Sequence, residues 1–264
     1  MELKEIERSI IKKYRKVIFA PFIKALKEFD LVCDNDKIAI CISGGKDSFL
    51  LAKCMQELKK HGRVNFDLEF ILMNPGYNEE NLNQLKDNLK ILGIDAHIFE
   101  TPIFKLADAT SNPCYMCAKM RRGYLYNYAK KLGCNKIALG HHFNDVVETV
   151  LLNMIFNGSY SSMMPKLKSQ NFIDMELIRP LYYVKEEDII KWAKSNDLFF
   201  LDCACSVTKK DAGKRKIMKN LVKELNKIYD KADVNILTST NNVNLNTITG
   251  YKKDGNFYNF KDKY

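Results

Sequence analysis

The sequence predicts an α/β protein built on a doubly wound parallel sheet, with an N-terminal helical arm before it and a small C-terminal helical subdomain after it. Three observations predict this. Apolar runs of strand length alternate with helical stretches as far as Gly158, glycines punctuate the helix ends, and a Gly-rich turn directly follows the first strand. Repeated β-α order sets the strands parallel, covers both faces with helices and leaves ligands at the carboxyl ends of the strands. With 264 residues, 46% of them hydrophobic, the chain can bury a sizeable core.

Residues 2 to 29 have helical spacing, with Pro21 as the expected break. KIAICI (37 to 42) is a buried strand, SFLLAKCMQELKKHG a helix closed by Gly62, and FDLEFILM (66 to 73) a second strand. NEENLNQLKDNLKILG is a helix stopped at Gly93, followed by the strand IDAHIFE. KMRRGYLYNYAKKLG gives a helix, NKIALG (135 to 140) a fourth strand and FNDVVETVLLNMIFNG another helix. Past Gly158 the alternation fails. SYSSMMPKLKSQ reads as a basic loop, MELIRPLYY as extended, KEEDIIKWAKSNDL as a short helix and KRKIMKNLVKELNKIYDKA as a last amphipathic helix before a polar tail. The expected units are 1–30, 31–180 and 181–264.

A net charge of +10 favours polyanionic partners without establishing one. The N-terminus lacks the apolar core of a signal peptide, and the long uncharged run VNILTSTNNVNLNTITGY is too rich in Asn and Thr to span a membrane. The expected location is cytoplasmic, without membrane contact. Thiols stay reduced there, so eight cysteines argue for metal or catalytic use rather than disulfides.

Ser43-Gly44-Gly45-Lys46-Asp47-Ser48 joins the first strand to its helix. Glycines permit close approach and positive φ, the helix N-terminus favours negative charge, and Lys46 and the hydroxyls can reach phosphate oxygens. The spacing does not fit the Walker loop. Cys114-x-x-Cys117 precedes a basic stretch and is expected in a loop on the active edge. Structural zinc usually needs four ligands, and no second Cys-x-x-Cys exists; Cys203 and Cys205 in LDCACS stand nearest to one. Three cysteines on converging loops suit a [4Fe-4S] cluster with one iron left free of protein. Cys33, Cys41, Cys54 and Cys134 are expected to be packing residues.

SGGKDS resembles the loop of the PP-loop N-type ATP pyrophosphatases, which cut ATP between its α- and β-phosphates. Gly140-His141-His142-Phe143-Asn144-Asp145-Val146-Val147-Glu148-Thr149 matches that family's Gly-His-x-x-Asp-Asp-x-x-Glu-Thr, except that Asn144 replaces an acid. The order SGGKDS, CYMCAKMRRG, GHHFNDVVET, MMPKL, IRPLYY and a late cysteine motif is similar to that of the tRNA 2-thiocytidine synthetase family. The resemblance implies an adenine nucleotide alpha hydrolase-like fold and a two-stage thiolation, in which ATP adenylates a pyrimidine C2 oxygen and sulfur then displaces AMP. Cytidine 32 of tRNA is the implied target. It further implies ATP at Ser43, Gly44, Gly45, Lys46, Asp47, Ser48 and Gly140, Mg2+ or base chemistry at Asp145, a phosphate- or oxyanion-binding Arg121, and a cluster on Cys114, Cys117 and Cys203. Cys205 stays open as the third ligand, and His141 is either part of the site or a core histidine. Implied partners are tRNA, a sulfur donor such as a cysteine desulfurase, and a second copy in a homodimer. RNA-docking candidates are Lys166, Lys168, Lys209, Lys210, Lys214, Arg215 and Lys216, and Arg122 either shares the role of Arg121 or caps a solvated helix face. Competing readings are another base thiolase or desulfurase, a lysidine-synthetase-like ligase using the cysteines for structural metal, and a non-catalytic nucleotide or iron-sulfur sensor. Placement of the cysteines opposes the ligase, and intact Lys46, Asp47 and Asp145 oppose the sensor.

Overall fold

A computed structural model describes residues 2–108, 113–201 and 208–263. The arm comprises α1 (Leu3–Ile11), a π-helical turn at Arg15–Phe19 and α2 (Ala20–Glu28). A capping box between Glu2 and Glu5 starts α1 and a buried Ile6/Ile10 stripe seats it. The break falls at residues 12 to 14 rather than at Pro21. That proline sits in the first turn of α2, where its fixed φ suits a helix.

The central elements follow as β1 (Lys37–Ile42), α3 (Lys46–His61), β2 (Asp67–Asn74), α4 (Glu79–Ile91) and β3 (Ala96–Glu100). Next come α5 (Ile103–Asp108), α6 (Pro113–Lys131), β4 (Lys136–Ala138), α7 (Phe143–Asn157), β5 (Lys166–Lys168) and β6 (Glu176–Ile178). The sheet runs β3-β2-β1-β4-β6-β5, parallel throughout except for the edge strand β5. The chain moves outward from β1 through β2 and β3, then returns to the other side of β1 as β4. The resulting switch point opens a crevice at the carboxyl ends of β1 and β4.

Both faces of the sheet are covered. One carries α1 to α4 and α7, with α8 (Glu186–Ser195); its core includes Ile40, Phe49, Leu85 and Trp192. The other is covered by α6 through Tyr126 and Ala129 against Ala39, Ile71 and Ile137, with Tyr126 stacked on Phe172 at 5.0 Å. Burying each of the larger apolar side chains among them contributes about 1.5–3 kcal/mol, before chain ordering is set against it. Trp192 Nε1 donates to Ser9 Oγ at 3.2 Å and Tyr14 Oη donates to Ser195 Oγ at 2.8 Å, so the arm is pinned to α8.

Three sequence expectations are corrected here. The Cys114–Cys117 pair lies in the first turns of α6, not in a preceding loop, because Pro113 occupies the first helical position, where its fixed φ suits a helix. The supposed basic loop contains β5, which owes its strand form to pairing with β6 rather than to any apolar alternation. The polar tail after α9 (Thr208–Ile228) contains α10 (Ala232–Ser239) and a hairpin of β7 (Gly250–Lys253) and β8 (Asn256–Asn259). Its turn is Asp254-Gly255, both at positive φ, and that dipeptide is a hairpin signal present in the sequence. Among the described residues no helix is long and apolar enough to cross a membrane.

Candidate nucleotide site

The switch-point crevice is built by two loops pressed together. Gly44, at φ +93°, turns the chain between β1 and α3, a conformation that a residue with a Cβ rarely adopts. Ser48 then holds the turn: its Oγ donates to the Gly45 carbonyl at 2.9 Å and accepts the Ser43 N–H at 3.1 Å. Being buried, this hydroxyl serves loop shape. Across the crevice, a Cβ at Gly140 would meet the Ser48 nitrogen at 2.9 Å and the Asp47 carbonyl carbon at 3.0 Å. Only glycine lets the β4–α7 loop approach the start of α3 this closely.

Gly45 is the N-cap of α3 and supplies no capping side chain, so the first-turn amides are left to other acceptors. A side chain at Gly45 would meet nothing of the chain nearer than Ser43 Oγ at 3.9 Å. The glycine therefore leaves room on the wall of a cavity of about 610 Å³ that Lys46, Asp47, Tyr77 and Arg121 also line. That volume is within the usual range for a small-molecule site.

Lys46 Nζ lies 3.3 Å from Asp47 and 3.3 Å from Glu186 at the start of α8. Burial works against its charge, but the two carboxylates outweigh it and hold the ammonium above the ordinary lysine pKa. Burial pushes the Asp47 carboxyl above the usual aspartate range, with His142 and Lys46 pulling the other way, and among the described residues no hydrogen bond reaches Asp47 Oδ1. His142 caps α7: its backbone N–H donates to Asp145 Oδ2 at 3.0 Å, and its Nε2 stands 3.8 Å from Asp47 Oδ1. The imidazole thus stands between the two carboxylates. Arg215 of α9 comes within 3.9 Å of Asp145. Burial raises Glu148, one turn along α7, to a pKa of about 7, with Asp145 adding to the effect.

Arg121 Nε, on the cavity wall, and Arg179 Nε, just beyond β6, have no hydrogen bond among the described residues. Burial, reinforced by the charge of Arg122, lowers Arg179 to about 10. His141, left open by the sequence, is half-buried with Nδ1 unpartnered; burial depresses its pKa to about 4.

The structure thus brings together Ser43, Gly44, Gly45, Lys46, Asp47, Ser48, Gly140, Asp145 and Arg121. It places Cys114 and Cys117 three residues apart on α6, and their side chains, like Cys203 and Cys205, lie outside what is described. Among the described residues no cluster of His, Cys, Asp or Glu could hold a metal ion. Cys41, Cys54 and Cys134 are buried as expected; Cys33 is exposed in the α2–β1 connection, so it is not a packing residue. Of the RNA-docking candidates, Lys166 is held by Glu176 at 3.2 Å and Lys214 lies over the Phe156 ring. Asn144 Oδ1 accepts the Glu186 N–H at 2.9 Å, so this departure from the acidic pattern still performs an acceptor's task at the head of α8. The sequence reading missed Glu186. No motif marks it, since it meets Lys46 from 140 residues away.

A phosphate-ready loop on a switch-point crevice defines a PP-loop nucleotide-binding protein, and the PP-loop domain family matches residues 19–225. A tRNA-cytidine(32) 2-sulfurtransferase of Geobacter metallireducens is 36% identical over 236 residues, covering 88% of this chain and 91% of that protein. Another, from Citrifermentans bemidjiense, is 34% identical over 224 residues, covering 83% and 88%. The chain belongs to the tRNA-cytidine(32) 2-sulfurtransferase family of PP-loop proteins. In fold it is similar to the U34-tRNA thiolase NcsA of Methanococcus maripaludis, solved with its [4Fe-4S] cluster. That match has a TM-score of 0.66 and 23% identity, covering 89% of this chain and 80% of that one.

Proposed function

We propose that the chain is an ATP-dependent tRNA sulfurtransferase that converts a cytidine, most simply cytidine 32, to 2-thiocytidine. The observation that carries this reading is Arg121: it stands on the helix that begins with Cys114 and Cys117, yet lines the cavity of Lys46 and Asp47, with its Nε unpaired among the described residues. In this reading sulfur chemistry and nucleotide chemistry share one chamber.

In this reading the Gly44–Gly45 turn and the uncapped amides of α3 cradle the phosphates, with Gly140 and Ser48 fixing the shape of that cradle. The C2 oxygen of cytidine attacks the α-phosphorus and pyrophosphate leaves; sulfur then attacks C2 and AMP leaves. Adenylation answers both faults of a base carbonyl, its weak electrophilicity and its poor leaving oxygen. Lys46 and Arg121 balance charge on the departing phosphates, and Asp47 and Asp145 are the carboxylates suited to hold Mg2+. Positions 114 and 117 share a helix face, which suits two thiolate ligands of a [4Fe-4S] cluster, with Cys203 as the third. Such a cluster, when bound, supplies an activated sulfur. The NcsA fold, solved with its cluster, supports the assignment. A sulfur donor such as a cysteine desulfurase, a cytoplasmic setting and a homodimer belong to the same reading.

The test incubates anaerobically purified chain with ATP, a sulfide source and tRNA from a strain lacking the enzyme. We expect 2-thiocytidine by nucleoside mass spectrometry, with AMP and pyrophosphate formed in step. Thiolation that proceeds without AMP, or ATP cleavage that leaves cytidine unmodified, would overturn the proposal.

A further inference from the structure

Glu186 lies between two cations. Lys46 of the nucleotide loop is 3.3 Å away on one side, and Lys219 of α9 bonds to its other oxygen. Burial opposes ionisation of Glu186, but Lys219 and Lys46 outweigh it and keep the carboxyl below the usual range. Its backbone is fixed as well, by the 2.9 Å bond from its N–H to Asn144, next to Asp145. The side chain is 15% exposed, so water offers little alternative to these partners.

We propose that Glu186 is a positioning residue that couples nucleotide binding to the seating of α9. The coupling is an exchange of partners. Without nucleotide, Lys46 divides its charge between Asp47 and Glu186. Phosphate oxygens entering the cavity draw Lys46 toward themselves and bring negative charge near Glu186, whose remaining compensation is Lys219. The Glu186–Lys219 bond therefore tightens and holds α9 against the site. A second tether, Arg215 to Asp145, joins the same helix to the opposite loop of the crevice. In sequence α9 begins five residues after Cys203, so a nucleotide-dependent seat for α9 ties the nucleotide loop to the segment that carries the third cysteine. This inference rests on the nucleotide reading of the site but not on the thiolation step.

The experiment is amide hydrogen exchange of the full-length chain with and without the ATP analogue bearing a methylene between the α- and β-phosphorus. The expected result is slower exchange in residues 213–225 on adding the analogue. Glu186→Gln should still bind the analogue, while the nucleotide-dependent slowing falls by at least about half, the Arg215 tether carrying the rest. Lys219→Met should lose the same share from the other side, Glu186→Asp should restore part of it, and Glu186→Gln/Lys219→Met should be no worse than either single change. A purely stabilising residue would alter exchange equally with and without nucleotide. Unchanged slowing in Glu186→Gln, no slowing in the bound wild type, or losses that add in the double variant would each overturn the relay. A chain that shows the relay but makes no 2-thiocytidine breaks only the functional reading. One that thiolates without the relay breaks only this one, and one that fails to bind the analogue breaks both.

Discussion

Helix α3 carries two lysines two turns apart, Lys46 and Lys53, and they are treated in opposite ways. Lys53 is fully buried with three short bonds, to Glu7 at 2.8 Å, Gln56 at 2.7 Å and the Leu92 carbonyl at 2.9 Å, which satisfy all three of its donors. Lys46 is partly open to the cavity and makes only long contacts, 3.3 Å to each of two carboxylates. A cation whose donors are all filled by the chain is structure, because no ligand can improve its lot. One held loosely by more negative charge than it can neutralise stays charged and can change partner. Even their pKa values part: burial wins at Lys53 and lowers it, whereas the carboxylates win at Lys46.

That contrast can be broken by exchanging the phenotypes. Lys46→Ala is expected to leave thermal unfolding almost unchanged while AMP formation falls about 10²–10³-fold, since under the proposed function it removes the charge that meets the leaving phosphates. Lys53→Met should do the reverse. It should cost about 3 kcal/mol in urea unfolding, the low end for a broken buried pair because Lys60 still reaches Glu7 at 2.8 Å, with turnover per folded molecule preserved. If Lys53→Met lost activity without stability, the division between the two lysines would be wrong. Between these stands Gly140→Ala, whose Cβ must displace backbone at Ser48 and Asp47. It should lose about 1–3 kcal/mol and weaken binding of the ATP analogue, both read by calorimetry.

The smallest effect is a pH slope with two opposing contributors. Glu148 keeps its proton to about pH 7 in the folded chain against an ordinary 4.5, so the folded state binds the extra proton and stability declines as pH rises through that interval. His141 is depressed from 6.5 to about 4, so the unfolded chain takes up the extra proton and stability is lost as pH falls through that interval. Glu148→Gln should therefore remove a decline toward neutral pH and His141→Asn a decline toward acid, seen in urea midpoints between pH 4 and 7. Equal slopes in both variants would show that neither group titrates as its burial implies.

Sequence patterning made the parallel strands legible because each is a continuous apolar run next to a glycine-stopped helix. It made the nucleotide loop legible because a backbone turn that meets an anion demands glycine at fixed places. It failed where structure comes from a distant partner. Lys166–Lys168 is a strand only because Glu176–Ile178 lies beside it, and Glu186 belongs to the site only because the fold sets the head of α8 against α3. The cysteine pair reads as loop because the helical pattern behind it begins only at Lys119, whereas Pro113 already occupies the first helical position. Asp254-Gly255 was overlooked although its turn chemistry is local.

The order of strands also sets a timetable. β1, β2 and β3 lie side by side in space and in sequence, so they can assemble as soon as they are made. The contacts that finish the chamber do not share that advantage: Gly140 on Ser48, His142 beside Asp47 and Glu186 on Lys46 each join residues 46 to 48 to partners at 140 or beyond. A nascent chain can therefore pair β1, β2 and β3 well before it carries a finished nucleotide chamber, whose contact from Glu186 forms only once α8 has been synthesised.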